Sequence, residues 1–337
     1  MKIMTDNVRR IRSELPSGDP ALLNHVAWSR RWYDRKTSID HAQRARQTAL
    51  AGTGKRSRVQ QGLALRTLAW HARWMGNLED AMGYCLNAET FLPERDHAEE
   101  RATVYSILGS IHFARNRFDL ANCSVDRGFW LLRDTPEAEA AEVMTELLLT
   151  RSTIQRYSGE RARAGITLGR AQELSTSDTA PCVNYCTASW LLSDGDSSAA
   201  MARAEPALES AQAQGNRVIQ PYLHGLVGAC AMDLGRLDTA IEQLETALKL
   251  ASEEGDRRAR TFFLRDFARL DLLRGDETSA LERLQEAAGL AKSQDHSFER
   301  KRIALMLAEV YERMGKYKQA VDQHKLAWRL QHATRMR

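Results

Sequence analysis

One short phrase recurs along this chain and restricts what it can fold into more than any other feature. It reads Gly235-Arg-Leu-Asp-Thr-Ala240. It returns downstream from Gly275 to Ala280 and from Gly315 to Ala320. Upstream it runs from Gly195 to Ala200, Gly159 to Ala164, Asn116 to Ala121 and Gly76 to Ala81, with a degenerate copy from Thr37 to Ala42. The closing alanines are therefore 39, 40, 43, 36, 40, 40 and 40 residues apart.

Two further columns keep the same period. Seven residues after each alanine come Ala49, Ala88, Gly128, Ala171, Ala207, Ala247, Ala287 and Ala327. Twelve residues before come Arg30, Ala69, Gly109, Ser152, Ala188, Gly228, Ala268 and Ala308, and only Arg30 is large. The glycine that opens the phrase suits the end of a helix, where a left-handed backbone costs glycine nothing, and asparagine is its usual substitute. The small columns suit close helix crossings. Between them the apolar residues fall at helical spacing, as in Leu237, Ile241, Leu244 and Leu248. Each unit therefore reads as helix, tight turn, helix. The predicted fold is all-α, a right-handed α-solenoid of about eight helix-turn-helix repeats.

The pattern resembles the tetratricopeptide repeat family. Leu108-Gly109, Val227-Gly228, Tyr311 and the paired Ala240 and Ala247 carry the resemblance, which covers roughly residues 20–333. The period near 40 is longer than the family's usual repeat. It is similar to the long variant found in bacterial signalling proteins, ahead of diguanylate cyclase or DNA-binding domains and in cytosolic peptide-sensing regulators. Residues 1–19 read as an N-terminal helix, with Met4, Val8, Ile11 and Leu15 on one stripe, and a linker broken by Pro16 and Pro20. Residues 20–333 are the array, and 334–337 are a tail. Asp19 before Pro20 reads as an N-cap and first helical residue. Leu326, Trp328 and Leu330 on the last helix are expected to be partly uncovered.

The resemblance implies that the first helix of each unit lines a concave face that binds extended peptides. Counting back from the reference alanines places Arg31, Arg66, Trp70, Arg73, Trp74, Phe113, Tyr157, Tyr185, Tyr222, Arg265 and Arg269 on that face. Tryptophan interleaved with arginine suits an acidic ligand, because guanidinium groups bind carboxylates bidentately while aromatics supply contact area. The asparagine and lysine pattern by which chaperone-binding members clamp a carboxylate is not evident.

Other chemistry is hard to find. Ala51-Gly-Thr-Gly-Lys55-Arg56-Ser57 lacks the first glycine, the hydroxyl after the lysine and the preceding strand of a phosphate loop, so it reads as a basic linker. Cys182 and Cys186 share a helix face without nearby histidines and read as buried thiols. No nucleophile–base pair, carboxylate cleft or metal cluster can be named, so no enzymatic activity, cofactor or metal is expected. No apolar run spans a membrane, and Met1 to Leu15 has basic residues but no apolar core, so a cytoplasmic protein is expected. Five cysteines in 337 residues fit a reducing compartment. A net charge of +4 does not call for a nucleic-acid partner. The expected role is a scaffold or sensory adaptor that binds a protein or peptide. The alternative is a regulatory module of a bacterial signalling protein of the cyclase or transcription-regulator type, acting through a homodimer or a partner effector.

Overall fold

A computed structural model describes residues 18–332, which contain sixteen α-helices and no strand. The helix expected over residues 5–15 and the tail from 334 lie outside the described residues. The helices run α1 Pro20–Arg30, α2 Arg35–Leu50, α3 Lys55–Trp74, α4 Leu78–Phe91, α5 Ala98–Ala114, α6 Phe118–Leu131, α7 Ala141–Tyr157 and α8 Arg161–Leu174. They continue as α9 Ala180–Ser193, α10 Ser197–Gln214, α11 Gln220–Asp233, α12 Leu237–Glu253, α13 Arg257–Leu273, α14 Glu277–Ser293, α15 Ser297–Arg313 and α16 Tyr317–His332. Paired in order, they make eight hairpins, each packed on the next.

The recurring phrase is the turn of seven of these hairpins. Its first residue has a left-handed backbone in every one, from Asn116 at φ 61° to Gly195 at 89°. The next residue's N–H then reaches back five positions. Arg236 bonds the carbonyl of Ala231 at 2.8 Å, and Lys316 bonds that of Tyr311 at 2.8 Å. This Schellman closure satisfies carbonyls that the ending helix leaves open. The first unit differs, because Thr37 lies inside α2. The turn there falls at 31–34, where the Asp34 carboxylate accepts the Thr37 N–H at 3.0 Å and starts the helix one turn early. Asp19 caps α1 in the same way, accepting the Ala21 N–H at 2.7 Å.

The small columns lie where helices cross. None of the eight reference alanines exposes more than 2% of its surface. Every residue seven after or twelve before them is buried too, except Arg30. A methyl group on Gly228 would sit 2.9 Å from Leu244 Cγ, and one on Gly128 would sit 2.6 Å from Leu147 Cδ2. These distances are too short for carbon contacts, so side-chain size there sets how closely paired helices approach. The interhelical space is filled by Leu65, Ile107, Ile111, Leu147, Leu223 and Leu244, all essentially inaccessible. Cys85, Cys182 and Cys230 are buried, Cys186 is half-buried and Cys123 is exposed. Residues 51–54 form an exposed link, and Lys55 Nζ pairs with Asp96 at 3.2 Å. No described helix is long and apolar enough to cross a membrane.

Candidate functional site

The hairpins coil far enough for early units to meet late ones, and one further column supplies many of the contacts. Twenty-two residues before the reference alanines of units four to eight stand Glu142, Asp178, Val218, Arg258 and Phe298. Glu142 pairs with Arg31 and accepts the Trp32 indole N–H at 3.0 Å. Asp178 accepts the Tyr33 hydroxyl. The Val218 N–H reaches the Trp32 carbonyl at 3.4 Å. The Arg258 guanidinium lies 5.8 Å from the Trp74 ring, and the Phe298 ring lies 5.2 Å from Phe113 and 4.7 Å from Tyr157. Arg35 adds a clasp beside this column. Its Nη1 donates to the Glu254 carbonyl at 2.8 Å, and its Nη2 lies 3.6 Å from Asp256 Oδ2.

This closure turns the expected open groove into a walled cavity of about 490 Å³. The cavity lies within the size range of small-ligand sites. Eight of the eleven expected residues line it: Arg73, Trp74, Phe113, Tyr157, Tyr185, Tyr222, Arg265 and Arg269. The other three do not. Trp70 is fully buried, with its ring edge-on to Trp32 at 4.6 Å and its N–H on Glu146 Oε1 at 3.1 Å. Arg66 and Arg31 sandwich Trp28 at 3.7 and 3.8 Å and are themselves buried. The spacing put all three on the inward side of the first helices. Arg31 and Trp70 are held by Glu142 and Glu146 of unit four, and Arg66 by Trp28 of unit one, so these side chains are wall.

Aromatic rings supply much of the lining. Trp74 meets Tyr222 edge-on at 5.5 Å, and Tyr222 meets Tyr185 and Phe262 at 5.9 and 6.2 Å. Tyr157, 48% exposed, stands at the rim. Burial pushes the Tyr185 and Tyr222 hydroxyls well above the usual phenol range, and Asp256 adds to the effect at Tyr222. Burial also drives the thiols up, to about 12 for Cys186, so neither Cys182 nor Cys186 is a ready thiolate. His296, the one histidine in the lining, is lowered to about 4 by burial and by Arg258 and is neutral. No group of three or more metal-binding side chains occurs among the described residues.

Most charges in the lining are already paired. Arg265 bonds Asp266 at 2.8 Å and also Glu299, which lies 3.6 Å from Arg302. Arg269 pairs with Asp233, and Arg156 with Asp194 at 2.8 Å. Arg258, Trp190, Glu146, Phe298 and His296 were not foreseen. Arg258 and Phe298 could have been found by extending the inward count one helical turn, from eighteen residues before the alanine to twenty-two.

The family model of the tetratricopeptide repeat matches residues 220–293, from the first residue of α11 to the last of α14. No curated protein matches the chain. Among solved structures, a Rap protein complexed with competence and sporulation factor is similar with a TM-score of 0.72 at 13% identity, covering 98% of this chain and 92% of that one. The Rap conjugation gene regulator of plasmid pLS20 in complex with the Phr* peptide gives 0.66 at 10% identity, covering 94% and 96%. The apo form of the quorum sensor NprR from B. thuringiensis gives 0.56 at 13%, covering 98% and 92%. Units six and seven are thus tetratricopeptide repeats by sequence, and the eight hairpins built to their plan make the chain a tetratricopeptide-type helical solenoid.

Proposed function

We propose that this chain is a non-catalytic, cytoplasmic peptide- or protein-binding adaptor whose binding site is the central cavity. The observation that carries the reading is that cavity itself. Residues of the first helices of seven successive units converge on it, presenting aromatic faces and guanidinium groups. Such surfaces give contact area with little side-chain entropy to lose. Arginine-rich walls favour an acidic segment. The solved structures of similar fold include proteins complexed with a peptide or a sporulation factor, which supports the reading. A bound segment would contact early and late units together, and so bias how tightly the coil closes.

The test is incubation of the full chain with a randomised synthetic hexapeptide library, followed by gel filtration and mass spectrometry of the co-eluting peptides. We expect a restricted set of sequences to co-elute, and substituting Trp74 and Phe113 together with alanine to abolish it. An unselected or empty bound fraction overturns the proposal. A second reading, regulation through self-association, draws on Tyr317, Val321 and Trp328, which are 69%, 49% and 56% exposed on α16. Light scattering tests it, and a monomer at all concentrations refutes it.

A further inference from the structure

Two cations in the cavity differ from the rest. Among the described residues, the Arg73 and Arg258 guanidinium groups form no ion pair and donate no hydrogen bond to the protein, and the buried Nε of each lacks an acceptor. Both flank the same ring. The Arg73 guanidinium carbon lies 4.7 Å from the Trp74 centroid and that of Arg258 lies 5.8 Å from it, with Phe262 a further 5.4 Å from Arg258. Aromatic faces hold a guanidinium by its plane and leave its N–H edge free. Burial opposes the charge on Arg73, and Arg258 opposes it further. Glu146 is the cavity carboxylate outside any ion pair. It favours the Arg73 charge from a distance, ahead of the opposing effect of Arg258, accepts the Trp70 indole N–H, and pairs with neither arginine.

We propose that Arg73 and Arg258 form a carboxylate subsite, in which the anionic group of a bound peptide is held against the two N–H edges beside Trp74. Arg265 and Arg269 are excluded from this role because Asp266, Glu299 and Asp233 already neutralise them. The guanidinium edge matches a carboxylate bidentately, and two such edges around one ring fix where the group sits. A carboxylate meeting them removes the cost of keeping two like charges together in a partly desolvated cavity.

This inference rests on the peptide-binding reading above, and the same library separates the two. It is made in two arms, with free and with amidated C-termini. The native chain is expected to enrich carboxylate-bearing peptides by about tenfold or more, the strength of one charge-assisted contact. Enrichment confined to the free-acid arm assigns a terminal carboxylate, and enrichment of Asp or Glu in both arms assigns a side chain; either result supports the subsite. In the Arg73→Gln, Arg258→Gln double variant, bound peptides should persist without that enrichment. A native chain that binds no peptide overturns the adaptor reading and this one with it. A native chain that binds peptides without carboxylate preference, or selects basic ones through Glu146, overturns only the subsite. Thermal melting of ligand-free Arg73→Met supplies the second readout. Removing an unpaired, desolvated cation should leave the melting temperature unchanged or raise it. A clear drop would make Arg73 a structural residue and overturn the assignment.

Discussion

Replacing Arg35 with alanine should open the coil without melting its repeats. The Arg35 side chain is 5% exposed, and the Asp256 carboxylate it faces is fully buried. The variant loses a charged hydrogen bond to the Glu254 carbonyl, worth about 1.5–3 kcal/mol. It also leaves Asp256 without its nearest cation, and breaking a buried pair costs about 3–5 kcal/mol. Asp256 keeps two donors, the Ala259 N–H at 2.9 Å and the Tyr222 hydroxyl at 3.2 Å, and Arg35 lies 3.6 Å from it without a direct hydrogen bond. The expected cost is therefore near the lower bound of the pair value, about 3 kcal/mol. The clasp joins early and late units, so its loss is felt first at that junction. Hydrogen exchange reads it locally. The Val218 N–H bonds the Trp32 carbonyl across the coil, so its protection depends on closure. It should exchange roughly a hundredfold faster in the variant, while amides inside α12 keep their protection.

The pH dependence of that deficit carries a sign. Burial holds the Asp256 carboxyl above the usual carboxylate range, and Arg35 pulls it back. A carboxyl raised on folding contributes stability that is present below its unfolded pKa and lost as pH rises through its folded pKa. Without Arg35 that folded value rises further. The gap between variant and native chain should widen as pH rises through the carboxylate range and narrow on acidification. Equal exchange of the two chains at neutral pH, or a gap that grows toward acid, refutes the clasp.

A methyl group at Gly225 would stand 2.2 Å from Phe263 Cε1, and the Phe263 side chain is buried. Gly225→Ala should therefore lower the melting temperature through about 1–3 kcal/mol of overpacking, less up to about 1 kcal/mol of gained helix propensity. Adding Phe263→Leu should restore much of it, and an unchanged melt for the single variant would contradict the packing. Burial pushes the Glu299 carboxyl up, but Arg265 and Arg302 more than reverse this and hold it below the ordinary range. That stabilisation is present above the unfolded pKa and lost as pH falls through the folded one. Glu299→Gln should cost roughly 3 kcal/mol at neutral pH, and the difference should vanish on acidification in paired melts. A difference that persists in acid would refute it.

The hairpins were legible because every unit solves the same local problem. Ala240 and Gly228 face a neighbouring helix of the same kind as do Ala280 and Ala268, so the same small residues recur. The glycines that open the turns recur for the same reason. Eight of eleven candidate site residues reach the cavity because inward direction is also a periodic property. Trp70, Arg66 and Arg31 miss it because inward does not mean exposed. Whether an inward side chain meets ligand space or another part of the protein depends on how far the coil winds, and self-alignment of the chain is silent on that.

The winding is set by pairs, and pairs of this kind leave no period. At the column twenty-two residues before the alanine, Glu142 answers Arg31 and Trp32, Asp178 answers Tyr33, and Phe298 answers Phe113 and Tyr157. Each contact joins units three to five repeats apart, and the group that each column residue meets differs, so the column reads Glu, Asp, Val, Arg, Phe instead of one residue type. A search for recurrence discards such a column as noise. Its complementarity is to distant positions, and with one sequence that complementarity has no visible counterpart. The columns that hold neighbouring hairpins together are thus separate from the column that closes the coil and carries Arg258 into the cavity. A substitution at Arg258 alters the cavity's charge without touching a repeat-defining position. The ligand chemistry of such a solenoid can therefore change while its repeats stay intact.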